Sequence, residues 1–313
     1  MRALVLGGTG FVGRHICEAL AADGAVLPLS TTSTPALDLM AADGVARLAE
    51  LLAEERPDLL VNAAGRAWRA DAEEMERGNA ALVDRLLDAV AAAGPTPPRL
   101  IHLGSVHEYG PGSPGAGTPE DHPPAPVTPY GRSKLRGTRS VLRAQGTGGL
   151  EAVVLRAANV CGPGAPDGSL LGVVAGLLVR AAAVRDAGGT PEPLRFASLS
   201  ARRDFVDVRD VAEAVRAAAR APAAAVAGEI VNIGRGRAVP ARWLVERLVA
   251  LSGLDLPVVV DESAGSARAD VEWQQLDIGK ARRVLGWSPR RELDESLCDL
   301  LEAVMRQTTK EGI

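Results

Sequence analysis

Short, largely apolar runs alternate with longer stretches whose apolar residues recur every three or four positions. The runs fall at residues 3–6, 25–29, 58–62, 100–103 and 152–155. Between them, helical spacing marks the stretch ending at Ala22, residues 45–55, residues 72–93 and a segment beginning near Thr128. In the third of these, Leu82, Leu86 and Val90 line one face. Strands apolar on both faces, alternating with helices, predict a parallel sheet covered on both sides by right-handed crossovers. The expected class is α/β, a doubly wound parallel sheet.

After about Val160 the alternation loosens. Pro163-Gly164-Ala165-Pro166 is a turn-rich link, and helical spacing returns over 170–184, 241–251, 278–285 and 292–305. Isolated strand-like runs remain at 205–208 and 229–233. The pattern predicts a sheet domain over 1–160, with segments returning to it near 203–240, and a smaller lobe built mainly from 161–313. Residues 94–98 and 110–126 are rich in Pro and Gly, and the second stretch leads directly into Tyr130. Loops beside a sheet are where binding residues concentrate.

Composition narrows the function classes. Apolar content of 47% across 313 residues fits a globular protein with a substantial core. A formal charge of −4 argues against a nucleic-acid partner, which calls for a basic face. Aromatics at 3% are too few for a base-stacking surface. Cys17, Cys161 and Cys298 have no metal-ligand spacing, so no metal site is expected and a reducing cytoplasmic compartment fits. Met1-Arg2 leads straight into the first strand with no secretory pattern, and no apolar run has the length of a membrane span.

Two motifs carry chemistry. Gly7-Gly8-Thr9-Gly10-Phe11-Val12-Gly13 follows the first strand and opens the first helix. Bare backbone at Gly7 and Gly10 would let a pyrophosphate approach the free N–H groups of the helix end, and Gly13 would let helix and sheet pack closely. The alternative is a structural tight turn. The second motif is Tyr130-Gly-Arg-Ser-Lys134, in a chain with two tyrosines and three lysines. On a helix the pair shares one face, and an ammonium there would draw the phenol toward ionisation near working pH. The bland reading is a tyrosine packed at a helix start.

The Gly-x-x-Gly-x-x-Gly spacing, Val61-Asn62-Ala63-Ala64-Gly65, Ser105 and Tyr130/Lys134 together resemble the extended short-chain dehydrogenase/reductase family. So do Arg203-Asp204-Phe205-Val206-Asp207-Val208, Val231-Asn232-Ile233-Gly234, and Asp277-Ile278-Gly279-Lys280-Ala281 leading to Leu285-Gly286-Trp287. The later segments are similar to nucleotide-sugar epimerases, dehydratases and ketoreductases. The resemblance implies a Rossmann-type domain with a C-terminal substrate-binding lobe. It implies catalytic roles for Ser105, Tyr130 and Lys134: Ser105 polarises a carbonyl, Tyr130 transfers the proton, and Lys134 keeps Tyr130 acidic and holds the nicotinamide ribose. Gly7, Thr9, Gly10, Phe11, Val12, Gly13, Ala63, Ala64 and Gly65 become cofactor contacts, together with Asp38 and Leu39 near the adenine. Asp38 could instead cap the next turn. Asn79 matches a family asparagine that is mainly structural.

Relatives that prefer NAD place an acid at the end of the second strand to bind the ribose 2′-hydroxyl. This chain has Ser30-Thr31-Thr32-Ser33-Thr34 there, so Ser30 and Thr31 favour NADP, with NAD as the alternative. No arginine clamp is evident, although Arg14 could approach. On the substrate side the resemblance assigns Arg203, Arg268 and Asn159 to the diphosphate and sugar of a nucleotide-diphosphate sugar. His107 stands where 4,6-dehydratases carry a glutamate base, which argues against dehydration; it would contact the sugar or simply bond to backbone. The expected function is NAD(P)H-dependent reduction of a UDP-, GDP- or dTDP-linked 4-keto-6-deoxysugar. The alternatives are a 4-epimerase that retains NAD and a non-catalytic cofactor-sensing protein. The family further implies a homodimer through the helices at 72–93 and 128–146.

Overall fold

A computed structural model describes residues 1–147, 149–261 and 271–310. A central sheet takes strands β1 (Arg2–Leu6), β2 (Ala25–Leu29), β3 (Leu59–Asn62), β4 (Arg99–Ser105), β5 (Ala152–Ala157) and β9 (Ile230–Ile233). Their order is β2-β1-β3-β4-β5-β9, every pair parallel. Beyond β2, Ser30 makes an isolated parallel bridge to Ala36. The chain crosses to opposite sides of β1 after its first two strands. The sheet therefore has a switch point between the carboxyl ends of β1 and β3, where such folds bind ligands.

Helices cover both faces because both faces are apolar. On one lie α1 (Phe11–Ala21), α7 (Val208–Arg220) and α10 (Gly279–Leu285), around a core that includes Val5, Ile16, Val61, Ile101, Val215 and Ile233. On the other lie α2 (Gly44–Glu55), α4 (Leu82–Ala92) and α5 (Pro129–Gly146), over Leu4, Leu48, Leu60, Leu86 and Val154. Residues 279–285, which the sequence pattern places in the lobe, pack on α7 and β9 on the sheet side.

The later helices bury a second core. Helices α6 (Leu170–Asp186), α9 (Ala241–Ser252) and α11 (Leu293–Lys310) bury Leu171, Leu178, Leu244, Leu248, Leu297 and Leu300. Strand β8 (Arg202–Asp207) runs parallel to β6 (Asn159–Cys161) and β12 (Trp273–Gln274), and antiparallel to β10 (Ala238–Pro240). The later part of the chain also has a two-stranded parallel pair, β7 (Leu194–Phe196) with β11 (Val258–Val260), and a short helix α8 (Ala223–Val226).

The predicted helix over 72–93 forms without interruption through 72–92 but contains a π-helical turn. Helix α3 (Ala72–Glu76) passes through a π-helical turn over 77–81 before α4 begins. Asn79 is the cause. Its side chain accepts from Arg66 N–H at 2.9 Å and donates to Arg66 C=O at 2.8 Å and to Ser133 Oγ at 3.0 Å. Widening the turn turns Asn79 inward, so it pins the loop after β3 to α5. Amphipathic spacing reads straight through such a turn, since apolar residues continue on both sides of it.

Candidate active site

Three carboxyl-end segments converge at the switch point. The turn after β1 carries Gly7, whose φ of +81° favours glycine and whose absent Cβ would lie 2.7 Å from the Ala64 nitrogen. The first and third strands can close together only with bare backbone here. Asn62 Oδ1 accepts from Ala64 N–H at 3.2 Å and shapes the second segment. Gly10 precedes α1, and Gly13 is buried where α1 crosses the turn. Ala63 and Ala64 are half-buried, Phe11 and Val12 line the helix start, and Gly65 is exposed. This cradle of free helix N–H groups and close backbone fits a pyrophosphate.

Hydroxyls cluster beside it. Thr9 Oγ1 donates to Ser30 Oγ at 2.9 Å, and Thr32 Oγ1 lies 3.3 Å and 3.2 Å from the two. Thr31 is exposed next to them. Three residues weighed from the sequence lie in this region. Arg14 donates to Pro163 C=O at 3.0 Å. Asp38 Oδ1 accepts from Met40 N–H at 2.9 Å, the turn-capping role. The Leu39 side chain is buried in the core with Leu37 and Leu48, leaving only its backbone for contact with a ligand.

The proton-transfer candidates meet at the end of β4. Thr128 caps α5 by accepting from Gly131 N–H at 3.0 Å, and Pro129 sits in the first turn, so Tyr130 is held at the helix start. Gly131 lets α5 press onto the turn after β4, because a Cβ there would lie 2.3 Å from His107 C=O. Ser105 Oγ accepts from His107 N–H at 3.3 Å, which leaves the hydroxyl proton free to be donated. A hydrogen bond joins Ser105 to Tyr130. The His107 and Tyr130 rings meet edge to face with centroids 5.6 Å apart.

The charge balance differs from the expectation at Tyr130. Burial pushes its hydroxyl up to about 12; the Ser105 hydrogen bond opposes this and the Glu108 carboxylate adds to it. The Lys134 ammonium donates to Leu103 C=O at 2.5 Å on β4. Burial lowers Lys134 to about 8, with Glu108 working in the opposite direction. The phenol is a protonated donor at neutral pH.

The predicted substrate residues gather beside this centre. Burial brings His107 down to about 4, nearby Arg203 pushes the same way, and a hydrogen bond to Asn159, which accepts from the protonated ring, opposes both. Asn159 also donates to Asp204 C=O at 3.0 Å, and Arg203 donates to Gln274 Oε1 at 2.9 Å. Arg268 lies outside the described residues. Two features escape sequence reading. Arg69 ion-pairs with Asp167 at 2.9 Å and Trp68 packs on Gly168, tying the loop after β3 to the loop before α6. Glu108, one residue past the dehydratase position, is wholly buried and paired with Arg156 at 2.8 Å. It is no substitute for the missing base. Nothing in residue type alone distinguishes a carboxylate turned inward from one facing a cleft.

Residues 3–234 match the NAD dependent epimerase/dehydratase family. The chain belongs to this family. Among its members, it is 43% identical to the dTDP-6-deoxy-L-talose 4-dehydrogenase (NAD(P)(+)) of Kitasatospora kifunensis, over 96% of this chain and 95% of the relative. It superposes on RMD from Pseudomonas aeruginosa, solved with NADPH, with a TM-score of 0.83 at 27% identity, covering 98% of this chain and 99% of the other. For the UDP-glucose 4-epimerase of Thermotoga maritima, solved with UDP-glucose, the values are 0.84 and 25%, with 99% and 100% covered. The epimerase/dehydratase chain is accordingly an NAD(P)-dependent enzyme of the extended short-chain dehydrogenase/reductase type. The cofactor-sensing alternative falls away, since these full-length relatives are enzymes and the chain has the Tyr130/Lys134 pair.

Proposed function

We propose that the protein interconverts a dTDP-linked 4-keto-6-deoxyhexose and its 4-hydroxy form, using NADP(H) in preference to NAD(H). The observation that carries this reading is the convergence of Ser105, a protonated Tyr130 and Lys134 on one side with His107, Asn159 and Arg203 on the other. When bound, the nicotinamide supplies or accepts the hydride. The chain does the rest. Ser105 donates to the carbonyl oxygen as negative charge grows there, and Tyr130 delivers the proton. Lys134 contributes a positive charge at the back of the pair. Arg203, joined by Arg268, would bind the diphosphate, for which a planar cationic fork is suited. Asn159 and His107, the latter neutral, would meet the sugar.

The hydroxyl cluster of Thr9, Ser30 and Thr32 supports NADP(H), because no carboxylate stands where it would repel a 2′-phosphate. The inward-facing Glu108 and the His107 position weigh against a dehydratase. The resemblance to the T. maritima epimerase keeps one further reading open, a 4-epimerase that retains its cofactor. A homodimer through the helical stretches at 72–93 and 128–146 and a cytoplasmic location complete the proposal.

The test is direct. Purified protein is given dTDP-6-deoxy-L-talose with NADP+ or NAD+, and the corresponding dTDP-4-keto-6-deoxyhexose with NADPH or NADH. Stoichiometric production or consumption of free reduced cofactor is expected. Interconversion of 4-epimers with tightly held NAD and no net cofactor turnover would overturn the reading in favour of the epimerase. The same assay with the UDP- and GDP-linked forms checks the nucleotide.

A further inference from the structure

Glu108 and Arg156 form a buried ion pair behind Ser105. Glu108 Oε1 accepts from Ser105 N–H at 2.7 Å, and Oε2 accepts from Arg156 Nε at 2.8 Å. Glu108 and Arg156 are 0% and 1% exposed. Arg156 lies over the Tyr109 ring, 4.4 Å from its centroid, and Tyr109 in turn donates to Asn232 Oδ1 at 2.9 Å. Gly104 closes the remaining side, since a Cβ there would stand 2.7 Å from Glu108 Oε1.

Burying both charges is costly, and apolar residues of the same volume would often stabilise as well or better. A pair kept here calls for a role beyond stability. Its two ends supply one. The Ser105 side chain accepts from the backbone ahead of it while Glu108 reaches back to the Ser105 N–H, a reciprocal capping box that fixes the turn at both ends. We propose that Glu108 is a positioning residue of the proton-transfer centre: its carboxylate, paired with Arg156, locks the turn that presents Ser105 and sets a fixed negative charge behind Tyr130 and Lys134.

The charged and titratable groups around Glu108 are Arg156 from β5, Tyr130 and Lys134 from α5, and Tyr109 on its own turn. One layer out stand Glu120 beside Tyr109 and His102 beside Lys134. The carboxylate opposes ionisation of Tyr130 and favours the Lys134 ammonium, so both effects keep protons on the centre. This inference rests on the reading of Ser105, Tyr130 and Lys134 as that centre, and its test separates the two.

The full chain is prepared as wild type, as Glu108→Asp, and as the double variant Glu108→Gln/Arg156→Met, which removes both charges so that neither is orphaned. With 13Cζ-labelled tyrosine the protein gives two resonances, because the chain has two tyrosines; a Tyr130→Phe sample assigns them. In the double variant the Tyr130 signal is expected to start moving toward the phenolate position at a pH about one unit lower, with kcat for keto-sugar reduction down about tenfold. The alkaline limb of kcat moves the same way, and NADPH affinity stays unchanged. Glu108→Asp keeps the charge but shortens the reach, so kcat falls without a shift in the titration. Wild-type titration and turnover in the folded double variant would overturn the proposal. If that variant does not fold, wild-type kcat in Glu108→Asp would overturn it. The Tyr130 titration needs no substrate: a shifted titration without turnover in any protein sinks the functional reading alone, and an unshifted titration with normal turnover sinks this one alone.

Discussion

At the scale of the residue, Tyr130 and Lys134 are set apart by where their charges sit. Tyr130, held at about 12, keeps its proton through the working range, whereas Lys134, lowered to about 8, changes charge just above it. Carbonyl reduction requires the first to be protonated, and the charge on the second assists. The rate is therefore expected to be level up to about pH 8 and to fall above it, measured as NADPH oxidation across pH 5.5–10. His107, held at about 4, is neutral over that whole range, so no break is expected near its ordinary value. Tyr130→Phe should lower kcat by about 10²–10⁴-fold while leaving cofactor binding near wild type, read by steady-state kinetics and NADPH fluorescence. Equal turnover in the phenylalanine variant would remove Tyr130 from the mechanism. These roles were partly legible in sequence. The i, i+4 spacing pairs the residues on one face, but the strength and direction of the pKa shifts depend on burial and on a carbonyl of β4 that spacing does not reveal.

At the scale of the element, the close fit of α5 against the turn after β4 brings Tyr130 to Ser105. Gly131 makes that contact possible. Gly131→Ala should push the helix start away by a few tenths of an ångström or more, and displacements approaching 1 Å can cost about a hundredfold in rate. The expected signature is a fall in kcat with KM for NADPH unchanged; a wild-type kcat would show that the helix start tolerates displacement. At the end of β2, Ser30→Asp places a carboxylate among the hydroxyls. The ratio of kcat/KM for NADPH over NADH should drop roughly tenfold, about 1.4 kcal/mol, through repulsion of the 2′-phosphate. Helix and strand existence was readable from periodicity across most of the chain. The π-helical turn at 77–81 was not, because the Asn79 bonds that hold it open reach Arg66 and Ser133, far along the chain.

At the scale of the whole molecule, Asp204 joins segments far apart in the chain. It sits fully buried on β8 and accepts from the N–H groups of Arg235, Gly236 and Leu276 at 2.9, 3.0 and 3.3 Å. Asp204→Ala would leave three N–H donors, one of them fully buried, without this acceptor and should cost about 3 kcal/mol, roughly 6–10 °C in Tm. Burial raises its carboxyl from 3.8 to about 6, against those hydrogen bonds. In that window the native state holds a proton that the unfolded chain has released. Its contribution to stability therefore declines as pH rises from about 4 to 6, and Asp204→Asn should abolish that slope in denaturant titrations.

What the sequence determined by itself is whatever local physics specifies: apolar runs that must be covered on both faces, a glycine turn before a helix, a threonine–proline helix start, and a tyrosine and lysine one turn apart. Each depends on neighbours a few residues away. Tertiary structure alone decided which polar groups face the cleft and which face inward. Arg14 went to Pro163, Leu39 to the core, Glu108 to Arg156, and Lys134 to the β4 carbonyl, each partner lying more than eight positions away in the chain or contributed by the packed interior. A side chain's role depends on desolvation and on which charge it meets, and those are set only when distant segments pack together.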